Sequence, residues 1–171
     1  MLIFENIEDF LSMSGKDLPK GEWYKVSQQM INDFANATLD KQWIHIDEKR
    51  AEKESPFKST VAHGFMSVAM ISRMLEETFA IKSIKMGLNY GLNKVRFPNP
   101  VPVNSELRML SSVKEIEKLD NGVIIPDYMI NVFDTIGVNQ EDKGENTIIL
   151  KPTEHMLNPS FPCLKEDGIT V

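Results

Sequence analysis

The apolar positions change period along the chain, and the changes mark its elements. In residues 4–13, Phe4, Ile7, Phe10 and Leu11 recur at helical spacing, with Gly15 where a left-handed cap would end a helix. After a turn at Pro19 and Gly21, residues 23–26 read as a strand. Ser27 is a capping residue for a helix burying Met30, Ile31, Phe34, Ala35 and Ala37, which runs into Asp40. Asp47 caps a brief helix through Glu52 that must stop before Pro56, because the residue before a proline is pushed out of the helical region.

Residues 65–79, FMSVAMISRMLEETF, are apolar nearly all round for two turns and charged only at the end. That pattern predicts a buried helix about 22 Å long at 1.5 Å per residue. Beyond it the period drops to two. Met86, Leu88, Tyr90 and Leu92 alternate, then the phase slips by one to Val95 and Phe97, as a bulge near Asn93 and Lys94 would cause. Further strands are expected over 106–116, 124–134 and 147–151, with a turn at Asp120-Asn121-Gly122. The sum is an α+β fold in one domain, 1–171, with a sheet wrapping a central helix. Residues 1–22 form an N-terminal helical extension, and the Pro-rich tail 152–171 has no clear period.

Composition narrows the function. With 42% hydrophobic and 26% charged residues the chain is set to fold, and a net charge of −6 without a basic block argues against nucleic acid as a partner. The acidic residues in MLIFENIEDFLSM spoil a secretory signal, and no apolar run reaches membrane-spanning length, so no membrane partner and a cytoplasmic location are expected. The single Cys163, in NPSFPCL, has no disulfide mate, no zinc-type spacing and no adjacent base, and reads as an inert thiol; no metal is expected.

Of three histidines, His45 alone has a carboxylate close on both sides, Asp40 and Asp47. An imidazole and a carboxylate together can hold and accept a proton, which is what moving water across a double bond requires. Asp40 and His45, five apart, would project about 140° apart on a helix and to opposite faces of a strand, so only a bent loop aims both at one target. The bare spacing is common by chance. His155 and Asp127 carry no motif.

The runs FANATLDKQWIHIDEKRA and SPFKSTVAHGFMSVAMIS, followed by NYGLNKVRFPNPVPVNSELR, resemble the MaoC-type (R)-specific enoyl-thioester hydratases. The form is similar to their nodulation-protein-N-like branch, where a Gln-Trp-Ile triplet rather than Asn-Pro separates acid and histidine. The resemblance covers roughly residues 23–108 and implies a hot-dog fold, a long helix in a curled antiparallel sheet, and a homodimer joined along sheet edges.

It further implies that Asp40 and His45 hold the catalytic water, that Gly64 presents its N–H to the thioester oxygen at a helix N-terminus, and that Ser72 orients the acid. Ser72 reads equally well as a serine bonded back to a helix carbonyl. Trp43, His63, Tyr90, Lys94 and Arg96 complete the set of substrate-binding candidates. The simpler readings are core or pocket lining for Trp43 and Tyr90, a structural role for His63, and solvated strand charges for Lys94 and Arg96, which otherwise face the phosphates of coenzyme A or phosphopantetheine. The substrate is an acyl thioester carrying one of those groups, with no separate cofactor. Leu39 departs from the glycine usual before the acid, which puts the loop that aims Asp40 in question. An acyl-binding protein without turnover and a thioesterase are the competing functions on this fold.

Overall fold

A computed structural model of the chain describes residues 1–89, 91–92, 94–97, 99–119, 124–134 and 146–150. In chain order these form β1 (Leu2–Phe4), α1 (Ile7–Leu11), β2 (Tyr24–Lys25), α2 (Gln28–Thr38), α3 (Trp43–Ile46), α4 (Glu48–Glu54), α5 (Gly64–Thr78), β3 (Phe79–Ile81), β4 (Glu106–Lys118), β5 (Ile124–Asp134) and β6 (Asn146–Leu150). The mixture is α+β, as the periods predict.

The main sheet is antiparallel with order β2-β4-β5-β6, and β4 alternates buried and partly exposed residues so that Leu107, Met109, Ser111 and Val113 face inward. A register shift between Val113 and Glu115 bends the β4–β5 ladder. Against this face lie Met66, Ile71 and Met74 of α5, which join Leu107, Met109 and Val113 of β4 and Tyr128, Ile130 and Val132 of β5 in the core. Each such side chain removed from water contributes about 1.5–3 kcal/mol. The predicted burial of α5 holds for that face only: Phe65, Ala69, Ser72, Arg73 and Glu76 form an exposed stripe along the single chain.

The N-terminal residues are part of the same core rather than an appendage. Phe10 of α1 is fully buried, stacks on Phe79 at 5.0 Å between centroids and meets Phe4 edge-on at 5.3 Å. The parallel β1–β3 pair, Leu2 to Phe79 through Phe4 to Ile81, was not expected, because Phe79 continued the helical period of α5.

The expected strand over residues 86–97 is corrected. Its described residues form no strand, and Met86, Leu88, Leu92 and Phe97 stay exposed. Alternation signals a ladder only when a neighbouring strand covers one face, and among the described residues no named strand pairs with this segment. Tyr90, Asn93, the turn at 120–122, His155, Cys163 and the tail lie outside the described residues.

Candidate active site

Asp40 and His45 sit between α2 and α4, and the chain bends there for local reasons. Ser27 caps α2 by accepting from the Met30 N–H at 3.2 Å. At the other end Leu39 occupies the left-handed region, φ 62° and ψ 11°, the conformation that favours glycine at a helix C-terminus. The chain thus reverses into Asp40. After the bend, α3 is a single four-residue turn carrying His45, and Asp47 both closes it and caps α4 by accepting from the Arg50 N–H at 3.0 Å.

The bend does what neither helix nor strand would. Asp40, His45 and His63 bring ligand-type side-chain atoms within 4.8 Å of one another, and they form a group able to hold a metal ion by geometry. The His45 Nδ1–H donates to the Val61 carbonyl at 2.6 Å. A carbonyl can only accept, so the proton sits on Nδ1 and the neutral ring keeps its lone pair on Nε2. By the same reasoning His63 Nε2–H donates to the Asp40 carbonyl at 2.9 Å, and its buried Nδ1 has no partner. The two imidazoles stack with centroids 3.7 Å apart, and Phe34 lies 5.2 Å from His63.

These contacts set the electrostatics. Burial holds the His45 pKa below the usual 6.5, with the neighbouring His63 pushing the same way, while the Val61 carbonyl and the Asp40 carboxylate pull it back up. Asp40 is open to solvent, its side chain 59% exposed, and Oδ1 accepts from the Gln42 N–H at 3.4 Å. A half-buried imidazole and an exposed carboxylate with ligand-type atoms within 4.8 Å of each other leave room for a water bound about 2.8 Å from each.

Gly64 follows His63 as the first residue of α5, where backbone N–H groups have no helical partner. A Cβ built there would meet the Phe97 ring at 2.9 Å, so the ring lies directly over the glycine. A cleft of about 320 Å³ opens beside it, lined among others by Phe57, Gly64, Ser67, Phe97 and Asn99.

Other sequence candidates fall elsewhere. Ser72 is exposed and exchanges hydrogen bonds with Asn89 at 3.2–3.3 Å, while the side-chain contacts of Asp40 run to Gln42 and His63. Eight residues past Gly64, Ser72 lies about 12 Å further along the axis of α5. His63, placed among the substrate-binding candidates, is only 4% exposed, and its Nε2–H bonds to the Asp40 carbonyl. Trp43 is half-buried with the Arg50 guanidinium 4.3 Å over its ring. Lys94 and Arg96 are exposed. The sequence reading missed Ser67, one turn beyond Gly64 and buried, which faces the cleft. Its signal was present as the only hydroxyl in GFMSVAM.

A helix laid on a curled antiparallel sheet, with an acid and a histidine bent together beside the helix N-terminus, defines a hot-dog dehydratase-type protein. The chain belongs to the MaoC family: the MaoC-like domain model matches residues 9–127. A shorter match over residues 104–171, to the C-terminal region of an RNA polymerase recycling family, covers less than half of the chain. Among curated proteins, 3-hydroxyacyl-thioester dehydratase Z of Mycobacterium tuberculosis is 44% identical over 124 residues, 72% of this chain and 82% of its own. Nodulation protein N of Rhizobium leguminosarum is 38% identical over 128 residues, 74% and 80%. Among solved structures, the unliganded R-hydratase of Pseudomonas aeruginosa superposes with a TM-score of 0.56 at 23% identity, covering 82% of this chain and 83% of that one.

Proposed function

We propose that the chain adds water to trans-2-enoyl thioesters and removes it from (R)-3-hydroxyacyl thioesters, acting as a carbon–oxygen lyase in fatty acid metabolism. Support comes from the family, from the 3-hydroxyacyl-thioester dehydratase at 44% identity, and above all from one geometric observation. His45 is anchored through Nδ1–H, which leaves Nε2 as its acceptor, and a ring nitrogen of His45 lies within 4.8 Å of a carboxylate oxygen of the exposed Asp40.

In the hydration direction, one water is held between Asp40 and His45. Its oxygen bonds to the β carbon, the pair takes up one water proton, and one proton is delivered to the α carbon on the same face. The electron density released from the double bond passes to the thioester oxygen, which the Gly64 N–H and the N-terminal end of α5 stabilise. One proton is taken up and one delivered, so the net proton count of the pair is unchanged over a turnover. The chemistry calls for no redox cofactor and no metal, since both reactive groups already supply the proton transfers. Coenzyme A or phosphopantetheine enters as part of the substrate, with Lys94 and Arg96 as exposed cations for its phosphates. A homodimer in the cytoplasm completes the reading. Phe65 and Leu88, each 68% exposed, belong to the apolar surface a second copy would cover. No helix among the described residues is long and apolar enough to cross a membrane.

The test follows crotonyl-coenzyme A by loss of enoyl-thioester absorbance, with a thiol reagent in parallel, for wild type, Asp40→Asn and His45→Gln. Wild-type turnover without free thiol, reduced about a hundredfold in both folded variants, is expected. Free thiol would make the protein a thioesterase. Binding without turnover across short and long enoyl chains would make it an acyl-binding module.

A further inference from the structure

The helix that carries His45 has little to hold it in place. α3 is one turn long, buries none of its residues fully and lacks a side-chain N-cap. A lone turn is not stable by itself, since nucleation fixes several dihedral angles for one hydrogen bond. Yet the imidazole is set closely enough to stack on His63 and to donate to Val61.

The restraint comes from α2. Gln28 Nε2–H donates to the His45 carbonyl at 2.8 Å, filling an acceptor that the end of so short a helix leaves open, and its second hydrogen goes to Asn32 Oδ1 at 2.9 Å. Gln28 Oε1 accepts from the Thr60 hydroxyl. Thr60 is 1% exposed and fixed by pairing of its segment: its carbonyl accepts from the Val103 N–H at 2.9 Å, and the next residues pair with Pro102 and Val101. The Val61 N–H donates to the Ile44 carbonyl at 3.2 Å, and the Val61 carbonyl takes the His45 ring proton. Every polar atom of the Gln28 amide is therefore engaged, and its orientation is decided by a backbone carbonyl that can only accept. Neither glutamate, which lacks the donor, nor methionine, which lacks both functions, can repeat it.

Resting on the hydratase reading above, we infer that Gln28 and Thr60 are positioning residues that aim His45 at its water, bridging α2 and the buried 60–62 segment across the helix that bears the histidine. They touch neither substrate nor reacting atoms. A small misplacement of a catalytic group costs up to about a hundredfold in rate.

The experiment compares Gln28→Met, Gln28→Glu, Thr60→Val and Thr60→Ser with wild type, and with Gln29→Met on the exposed side of α2 as control. Expected for the two Gln28 variants and Thr60→Val is a fall in kcat of about ten- to a hundredfold with KM within about twofold. Thr60→Ser, which keeps the hydroxyl, and Gln29→Met stay within about threefold of wild type. Ring ¹⁵N spectra of the three histidines give a readout independent of turnover. His45 is expected as the Nδ1–H form in wild type and Thr60→Ser, and as a tautomer mixture in Gln28→Met and Thr60→Val. Unchanged kcat and unchanged tautomer in folded Gln28→Met overturn the inference, as does Thr60→Ser failing like Thr60→Val. An inactive wild type would overturn the hydratase reading alone, and the spectra would still decide whether the brace holds His45.

Discussion

Leu39→Gly tests the residue just before the acid, where the resemblance leads to the expectation of glycine. Leu39 holds φ 62° at the end of α2 and its side chain is 78% exposed, so the backbone, not lost packing, dominates the substitution. An L-residue in the left-handed region costs about 1–2 kcal/mol, and the greater freedom of glycine in the unfolded chain returns about 0.5–1 kcal/mol of that. A net gain of about 0.5–1 kcal/mol is expected, which for a chain of this size raises Tm by about 1–4 °C. Circular dichroism at fixed protein concentration measures it. Turnover should stay within about twofold of wild type, because Asp40 is held by His63 at its carbonyl and not by the side chain at 39. A lower Tm would refute the reasoning and mean that Leu39 is covered, for instance by a second copy. A large rise in kcat would mean that leucine had been misaiming the acid.

Three further outcomes test the site. The acid limb of kcat/KM should have its midpoint below pH 6.5, because turnover needs neutral His45 and burial depresses its pKa. The same depression makes its contribution to stability fully present above pH 6.5 and lost as pH falls through the folded value. A midpoint above 6.5 in the pH–rate profile would mean that the Asp40 carboxylate, not desolvation, governs the ring. Gly64→Ala should destabilise by about 1–3 kcal/mol through overlap with Phe97, and Gly64→Ala with Phe97→Ala should show favourable coupling in urea unfolding. Additive losses would remove Phe97 from the roof of Gly64.

Local chemistry was legible in the sequence. The caps Ser27 and Asp47, the extents of α2, α4 and α5 to within a residue or two, the bend needed between Asp40 and His45, and the awkward Leu39 all follow from short-range sterics and hydrogen bonding. Such effects act between residues at most a few positions apart. The long strands β4 and β5 were equally plain, because their alternation meets a real core.

What remained hidden involves contacts made across the chain. The hold of His63 on Asp40 spans 23 residues, that of Val61 on the His45 ring 16, and the Thr60–Gln28 bond 32, and no spacing rule reports such pairs. The side on which Ser67 rather than Ser72 would lie depended on how α5 is rotated against the sheet. The described residues of 86–97 show the reverse case, a strand pattern without a strand, because period two records that one face is apolar and not what will cover it. The sequence by itself determined which residues bend, cap and carry protons; the tertiary structure alone decided which ring nitrogen keeps its lone pair, since that depends on where a distant carbonyl comes to rest.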